Sequence, residues 1–126
     1  MYQISVSSRF SAAHLLRGYE GDCSNLHGHT WKYTIVIEGL MLDELGMLID
    51  FKELKLIMKN CVEQWYDHKC LNDCPEFRNL NPTAENIARI IFYMVSNLLN
   101  TYKDQRYHVV EVSVNESEEC RSTYRP

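Results

Sequence analysis

Alternation of apolar and polar residues in the first third of the chain limits its possible folds more than any other feature. In residues 2–14 the even-numbered positions share one face and are mostly apolar, and in residues 27–38 the odd-numbered positions do the same. A period of two is the pattern of a β-strand with one buried face. The segment 17–24 between the runs contains two glycines and is typical of a loop. Two long strands are therefore predicted.

The middle of the chain changes to a helical period. Asp50 is a predicted N-cap, and the apolar stripe that follows it is Phe51, Leu54, Ile57, Met58, Cys61 and Trp65. Residues 66–80 are mixed in character and are predicted to be loop. Asn81 is a second predicted N-cap with Pro82 at the first helical position, and the stripe of this helix is Ile87, Ile90, Ile91, Met94 and Leu98.

A third strand is predicted near residues 108–115, where alternate valines define one face and Glu116 continues their parity. The last ten residues favour a short further strand that ends at Tyr124. Because strands and helices are segregated along the chain, we expect the α+β class, with an antiparallel sheet, helices on one face and a single domain over residues 1–126. The exposed edges of such a small sheet favour oligomerisation.

Charge and hydropathy exclude several kinds of partner. The net charge is −4 and the lysines and arginines are scattered, which argues against a nucleic-acid partner, since that requires a basic patch or stripe. No apolar run approaches the roughly 18–20 residues of a membrane span, and no signal-peptide pattern is present. We therefore expect no membrane partner and a cytoplasmic protein.

The five cysteines are predicted to be free thiols, because their number is odd and no secretory signal is present. Cys70 and Cys74 have the spacing of a metal clip, but no matching pair occurs elsewhere. Two incidental thiols near a loop is therefore the favoured interpretation of this pair, and a structural zinc site is the weaker one.

Three histidines point to a metal site. On a strand, His27 and His29 lie on the same face, and His14 ends the neighbouring strand on its apolar face. The pair alone is better explained as two half-buried histidines in a sheet. With His14 it becomes a three-imidazole set, which is the ligand number of catalytic zinc sites that keep a fourth position open.

Glu116 is an acidic residue on the apolar parity of a strand. A buried carboxylate there is costly unless it is paired. The alternative is a strand-end glutamate that points to water beside Glu118 and Glu119.

Six features, in order along nearly the whole chain, resemble the 6-pyruvoyltetrahydropterin synthase family. They are Phe10-Ser11-Ala12-Ala13-His14, Cys23-x3-His27-Gly28-His29, Gly46-Met47-Leu48-Ile49-Asp50-Phe51, Asp67-His68-x2-Leu71-Asn72, Asn81-Pro82-Thr83-Ala84-Glu85-Asn86 and Glu116. The three residues between Cys23 and His27 resemble the bacterial branch, 6-carboxy-5,6,7,8-tetrahydropterin synthase of queuosine biosynthesis. The animal pyruvoyl-forming branch typically has a longer insertion there, and a branch that makes a folate precursor usually has glutamate in place of the cysteine.

The resemblance implies the tunnelling fold, in which a four-stranded antiparallel sheet with two helices assembles into a barrel. It implies homo-oligomers, trimers or hexamers, with active sites at subunit interfaces. The implied substrate is 7,8-dihydroneopterin triphosphate, and the implied products are 6-carboxytetrahydropterin, acetaldehyde and triphosphate.

The resemblance also implies roles for individual residues. Zn²⁺ would be held by His14, His27 and His29. Cys23 would be the base, and Asp67 and His68 would be the remaining catalytic pair, acting across a subunit boundary. The pterin would be bound by Glu116, Thr83 and Glu85.

Three questions stay open at the level of sequence. An enzyme of the same fold could form 6-pyruvoyltetrahydropterin by triphosphate elimination, and a zinc-binding module without turnover is a further alternative. The cations that hold the triphosphate are not identified; Arg9 and Lys32 are candidates because they are near the metal motifs in sequence.

Overall fold

Two antiparallel strands of 13 residues each form the centre of the sheet. In the computed structural model, which describes residues 1–102 and 104–126, these are β1 (Tyr2–His14) and β2 (His27–Gly39). They pair along their whole length, from Tyr2 opposite Gly39 to His14 opposite His27. The predicted strands and their predicted pairing are confirmed, and the register places both histidine-bearing ends together.

Three further strands, β3 (Lys69–Cys70), β4 (Tyr107–Asn115) and β5 (Arg121–Tyr124), complete a sheet in the order β3-β1-β2-β4-β5, which is mixed and not purely antiparallel. β4 and β5 are antiparallel neighbours. β3 lies in the segment 66–80, which the sequence predicted to be loop, and pairs in parallel with β1. The prediction of a four-stranded antiparallel sheet is therefore wrong by one short strand, since two residues are too few to show an alternating pattern.

A β-bulge interrupts β4. Ile37 is opposite Val109 and Val36 is opposite Glu111, so Val110 has no partner in the register. The extra residue exchanges the two faces of the strand. Val109 is buried before the bulge and Val112 after it. The sequence predicted that the alternate valines share one face of β4. Val112 and Val114 do share the buried face, whereas Val110 lies at the bulge.

The first helical rod has a π-helical segment in its middle. α1 (Phe51–Met58) is followed by the π-helical segment Lys59–Glu63 and by α2 (Gln64–Tyr66). Asp50 caps α1 by accepting a hydrogen bond from the Lys52 N–H at 2.7 Å, as predicted. The π turn inserts one residue into the helical period. Val62 and Tyr66 consequently face the core. Trp65 is exposed, although the sequence predicted that it lies on the apolar face of the helix.

The second long helix is α3 (Ala84–Leu99). Its N-cap is Thr83, whose hydroxyl accepts a hydrogen bond from the Asn86 N–H at 3.2 Å. The predicted N-cap, Asn81, lies two residues earlier, where its side chain instead forms hydrogen bonds with the backbone of Arg17, three residues after β1 ends. Three 3₁₀ turns complete the connections: Asp22–Ser24, Leu71–Asp73 and Pro75–Phe77.

One hydrophobic core lies between the helices and one face of the sheet. The sheet contributes its largest side chains there, and the helices contribute Leu54, Met58, Ile87, Ile91 and Val95. The opposite face of the sheet, called the open face below, carries mostly polar side chains. In the described part of the chain, no helix has the length and apolar character needed to cross a membrane.

Candidate metal centre

The three histidines of the sequence pattern meet at one end of the sheet. His14 on β1 is directly opposite His27 on β2. His29 lies two residues further along β2, on the same face as His27, and is opposite Ala12. The ring centroids lie 4.6–5.1 Å apart. One nitrogen from each ring lies within 4.8 Å of the other two. Such a group can hold a metal ion.

Backbone carbonyls set the tautomers of two of these rings. His14 Nδ1 lies 2.8 Å from the Pro82 carbonyl oxygen, and His27 Nδ1 lies 2.7 Å from that of Asn25. Because a carbonyl can only accept, each Nδ1 carries the proton and each Nε2 presents a lone pair. The two Nε2 atoms are 3.0 Å apart. Lone pairs converging without a proton between them are the arrangement that a cation stabilises.

The third ring supplies an independent indication of a metal. His29 Nε2 is buried and has no hydrogen-bond partner within the part of the chain that the structure describes. The nearest carboxylate oxygen, Oε1 of Glu116, is 3.5 Å away, which is too far for a good hydrogen bond. Buried polar atoms in folded proteins are normally paired. An ion held by the three Nε2 atoms would satisfy this one.

The surroundings favour the neutral form of two of the imidazoles, those of His14 and His29, and metal binding requires that form. Burial lowers the pKa of His14, and His27 and His29 lower it further against the raising effect of the Pro82 hydrogen bond. Burial also lowers the pKa of His29, while the nearby Glu116 carboxylate raises it.

Trp31 forms the floor of the centre, a role that the sequence did not reveal. The centroid of its ring lies 4.9 Å from that of His14 and 5.1 Å from that of His29, and both ring pairs are arranged edge to face. Its indole N–H donates to the Ala12 carbonyl at 3.2 Å, and the side chain is fully buried. The alternation of β2 placed Trp31 on this face, but only the paired register of β1 and β2 shows the contact.

Two asparagine side chains fix the chain just after His14. Asn72 accepts from the Leu15 N–H at 2.9 Å and donates to its carbonyl at 3.0 Å. Asn81 does the same to Arg17, with both bonds at 2.9 Å. Each amide thus imitates a neighbouring strand where β1 has none. Both asparagines belong to motifs that resemble the family, but the local sequence does not indicate these contacts.

A cavity of about 350 Å³ adjoins the metal centre. Four of the predicted site residues line this cavity: His14, Thr83, Glu85 and Glu116. Leu16, Ala84, Cys120, Arg121 and Ser122 complete its walls. The side chain of Glu116 is 34% exposed, so its carboxylate can receive a ligand in the cavity while it stays near His29.

Asp67 and His68 lie elsewhere in the same chain. Asp67 accepts from the Ser11 N–H at 2.9 Å, and the His68 N–H donates to the Ser11 carbonyl at 2.6 Å. The Ser11 N–H, and then the neighbouring His68, lower the pKa of the Asp67 carboxyl. His68 lines a second cavity, of about 430 Å³, with Ala13, Gly28 and other residues. The pair is therefore not brought into the cavity beside Glu116.

The two side chains of this pair are nevertheless in contact. Nδ1 of His68 lies 3.0 Å from Oδ2 of Asp67. The imidazole is 83% exposed, and its residue has φ +59°, a left-handed conformation that is uncommon outside glycine. Such local strain clusters at functional sites. Sequence alone did not reveal that these neighbouring side chains converge.

Cys23 lies in the 3₁₀ turn that closes the loop between β1 and β2. Its carbonyl accepts from the Leu16 N–H at 2.8 Å, which holds the turn two residues from His14, and its side chain is half-buried. All five cysteines are free, as predicted. Cys74 approaches the Cys70 carbonyl at 3.7 Å, and within residues 1–102 and 104–126 the pair acquires no further metal ligands.

A family model described as 6-pyruvoyl tetrahydropterin synthase matches residues 3–126. The chain belongs to the 6-pyruvoyl tetrahydropterin synthase family. A 6-carboxy-5,6,7,8-tetrahydropterin synthase from Bacillus subtilis is 34% identical to this family member over 130 residues, covering 99% of the chain and 86% of the relative. A 6-pyruvoyl tetrahydrobiopterin synthase from Dictyostelium discoideum is 36% identical over 106 residues, covering 83% and 74%.

A solved structure has the same fold as this member of the 6-pyruvoyl tetrahydropterin synthase family. The 6-pyruvoyl tetrahydropterin synthase of Caenorhabditis elegans superposes with a TM-score of 0.85 at 24% identity, covering 99% of this chain and 95% of the other. The resemblance inferred from six sequence features is thus confirmed at the level of family and fold.

Proposed function

We propose that this protein is a zinc-dependent 6-carboxy-5,6,7,8-tetrahydropterin synthase of queuosine biosynthesis. It would convert 7,8-dihydroneopterin triphosphate to 6-carboxytetrahydropterin, acetaldehyde and triphosphate. The observation that carries the proposal is the convergence of three imidazoles beside a cavity that contains a carboxylate. The Bacillus subtilis relative, which bears this enzyme name, supports the choice of reaction.

Zinc suits the donor set of His14, His27 and His29. Three imidazoles with one open position are typical of catalytic zinc, and Zn–N bonds of about 2.0–2.1 Å place the nitrogens of a tetrahedral site ~3.3 Å apart. The 3.0 Å between two of the Nε2 atoms is close to that separation. When bound, zinc supplies Lewis-acid stabilisation of charge that develops on the oxygens of the substrate side chain.

Glu116 would bind and orient the pterin. The amino-pyrimidine edge of a pterin offers adjacent N–H donors, which a carboxylate can accept in a bidentate manner. Glu116 lies in the cavity and within 3.5 Å of His29, so a ring held by it would place its side chain toward the metal ligands. Thr83 and Glu85 line the same cavity at the first turn of α3, where backbone N–H groups are also free to donate.

Proton transfer would fall to Cys23, Asp67 and His68. Cys23 would take a proton from carbon or hydroxyl of the substrate side chain. In His68, the contact of Nδ1 with Asp67 leaves Nε2 available to exchange a proton. We infer that Asp67 and His68 serve the site of a neighbouring subunit, because within one chain His68 lines the second cavity and neither residue lines the cavity that contains Glu116.

An oligomer would also cover the open sheet edge. β3 pairs with β1 only at Ala12 and Ala13, so residues 2–11 of β1 have no neighbouring strand on that side in the described chain. β5 is the opposite edge. Unpaired edges of this length are normally covered, and strand pairing between subunits would extend the sheet around a barrel.

The second candidate reaction is triphosphate elimination to 6-pyruvoyltetrahydropterin. It is favoured by the Dictyostelium discoideum relative, whose name describes that activity and whose identity to this chain is 36%. The same metal centre and pterin cavity would serve both reactions, so the product distinguishes them.

Product analysis tests the proposal. Purified protein is incubated with 7,8-dihydroneopterin triphosphate, and the products are identified by mass spectrometry together with an assay for acetaldehyde. We expect acetaldehyde and 6-carboxytetrahydropterin in equal amounts. A pyruvoyl product without acetaldehyde would replace the proposal by the second candidate, and an unchanged substrate would contradict both.

A further inference from the structure

The open face of the sheet carries a row of basic side chains. Arg9 is directly opposite Lys32, Lys32 is opposite Asn115, and Asn115 is opposite Arg121. Four adjacent strands thus place three cations and one amide in a single line. Neighbouring strands are about 4.8 Å apart, so the line spans ~14 Å.

The cations of this row differ in their partners. Arg121 donates to the Ser113 hydroxyl at 2.6 Å and lies 3.7 Å from the Glu111 carboxylate. Arg9 and Lys32 are exposed and form no ion pair with any acidic side chain in the described chain. Like charges directly opposite each other on a sheet are destabilising. Among residues 1–102 and 104–126, therefore, no ion pair compensates these two charges.

A cavity of about 570 Å³ lies over the uncompensated pair. Thr30, Asn115 and Ser117 add neutral hydrogen-bonding groups to its walls, and Glu118 adds one carboxylate. The walls thus combine two positive charges with hydroxyl and amide donors, which is the chemistry that binds phosphate oxygens. Glu118 opposes an anion and limits the affinity.

The cavity is connected to the residues of the proposed active site. Thr30 also lines the second cavity, which contains His68 and His29. Ser117 directly follows Glu116 in the chain. The cavity over Arg9 and Lys32 therefore shares Thr30 with the cavity that His68 lines, and its Ser117 is one residue along the chain from the proposed pterin anchor.

We propose that Arg9 and Lys32, together with the hydroxyls of Thr30 and Ser117, form a binding site for a polyphosphate group. This deepens the proposed function, on which it rests for the identity of the substrate whose triphosphate tail it would hold. Free inorganic triphosphate has the same chemistry and is the second source of the ligand. Anion binding itself requires no turnover.

Calorimetric titration of the intact protein with inorganic triphosphate tests the site. Replacing either cation, as Arg9→Gln or Lys32→Gln, is expected to weaken binding about tenfold or more, because each removes a charge-assisted contact. The matched controls are Lys55→Gln on α1 and Arg89→Gln on α3, both exposed, and these should leave binding unchanged. Equal affinity in the wild type and in the double variant of Arg9 and Lys32, or no binding to the wild type, would overturn the proposal.

A change of opposite sign sharpens this test. Glu118→Gln removes the one carboxylate in the cavity and should tighten triphosphate binding about threefold through weaker charge repulsion. Glu44→Gln, in the loop between β2 and α1, should have no effect. Weaker binding in Glu118→Gln would contradict the assigned geometry.

Thermal unfolding separates loss of binding from loss of fold. The variants of Arg9 and Lys32 should unfold at or above the wild-type temperature, since a like-charge pair is relieved. Triphosphate should raise the unfolding temperature of the wild type and not that of the double variant. A double variant that triphosphate still stabilises to the wild-type extent would overturn the site.

Comparison of two pterins identifies the source of the ligand. If the site holds the substrate tail, the double variant should bind 7,8-dihydroneopterin triphosphate more weakly and 7,8-dihydroneopterin unchanged. If it holds free triphosphate, inorganic triphosphate alone should lose affinity. Both outcomes support the site, and both can be measured if the protein makes no product, so failure of the proposed function is recognised separately.

Discussion

At the scale of single residues, the metal centre depends on which nitrogen of each imidazole carries the proton. The Pro82 and Asn25 carbonyls hold the protons of His14 and His27 on Nδ1, so both Nε2 atoms face the same point. His29 completes the set with an Nε2 that has no hydrogen-bond partner among the described residues. The ligands are therefore oriented by the backbone, which is a common way to keep metal-binding histidines in one tautomer.

Cys23 provides the residue-scale prediction. Cys23→Ala should keep the full metal content, because the thiol is not one of the three converging ligands, and should lower turnover at least about a hundredfold through loss of a general base. Metal content by mass spectrometry and turnover are measured on the same preparation. Cys74→Ala is the matched control, with turnover retained. Loss of metal in Cys23→Ala would show that the thiol is a ligand and would contradict the assigned role.

At the scale of elements, irregular segments position the core and the site. The π-helical segment Lys59–Glu63 turns Tyr66 inward, and it brings Glu63 against the sheet, where its carboxylate accepts from the Ser8 hydroxyl and from the Tyr33 hydroxyl. The bulge in β4 reverses which side chains of that strand face the core. Both irregularities add one residue to a regular period.

Tyr33 provides the element-scale prediction. Its hydroxyl donates to Glu63 at 3.0 Å, whereas the equally buried Tyr66 donates to the Met94 sulfur at 3.4 Å. Burial raises the pKa of both tyrosines, so both stay protonated donors. Tyr33→Phe should lower the free energy of unfolding by about 1.5–3 kcal/mol, and Tyr66→Phe by less than about 1 kcal/mol, because a charged acceptor makes the stronger bond. Urea denaturation that gives equal losses would contradict this assignment.

Regular periods explain what the sequence could predict and what it could not. β1 and β2 were predicted because their alternation is unbroken, and this alone placed His14, His27 and His29 on matching faces. The position of Trp65 was predicted wrongly, because one extra residue in a helix leaves no local sign in the pattern. The roles of Asn72 and Asn81 depend on contacts more than 55 residues away in the chain, which local patterns do not encode.

At the scale of the whole molecule, one chain separates groups that the proposed chemistry requires together. His14 and Glu116 line one cavity, whereas His68 lines another together with His29. The unpaired edge of β1 and the exposed apolar side chains Trp65 and Phe51 offer surface that a neighbouring subunit could cover. Sharing of residues between subunits would reconcile these observations.

Mixing of inactive variants provides the whole-molecule prediction. Cys23→Ala and His68→Ala should each be inactive alone. When the subunits are dissociated, mixed in equal amounts and reassembled, about one quarter of the wild-type rate should return. Half of the subunits retain Cys23, and about half of their neighbours retain His68. Each variant treated alone is the control, with assembly checked by light scattering. Mixed oligomers without activity would place Cys23 and His68 in the site of the same chain.

Zinc titration of the metal-free protein tests the central claim most directly. Zinc is removed with a chelator and returned in known amounts, and turnover of 7,8-dihydroneopterin triphosphate is measured at each step. The three-histidine centre predicts no turnover without metal, a linear rise and a plateau at one zinc per chain. Turnover by metal-free protein, or none at one zinc per chain, would contradict the account.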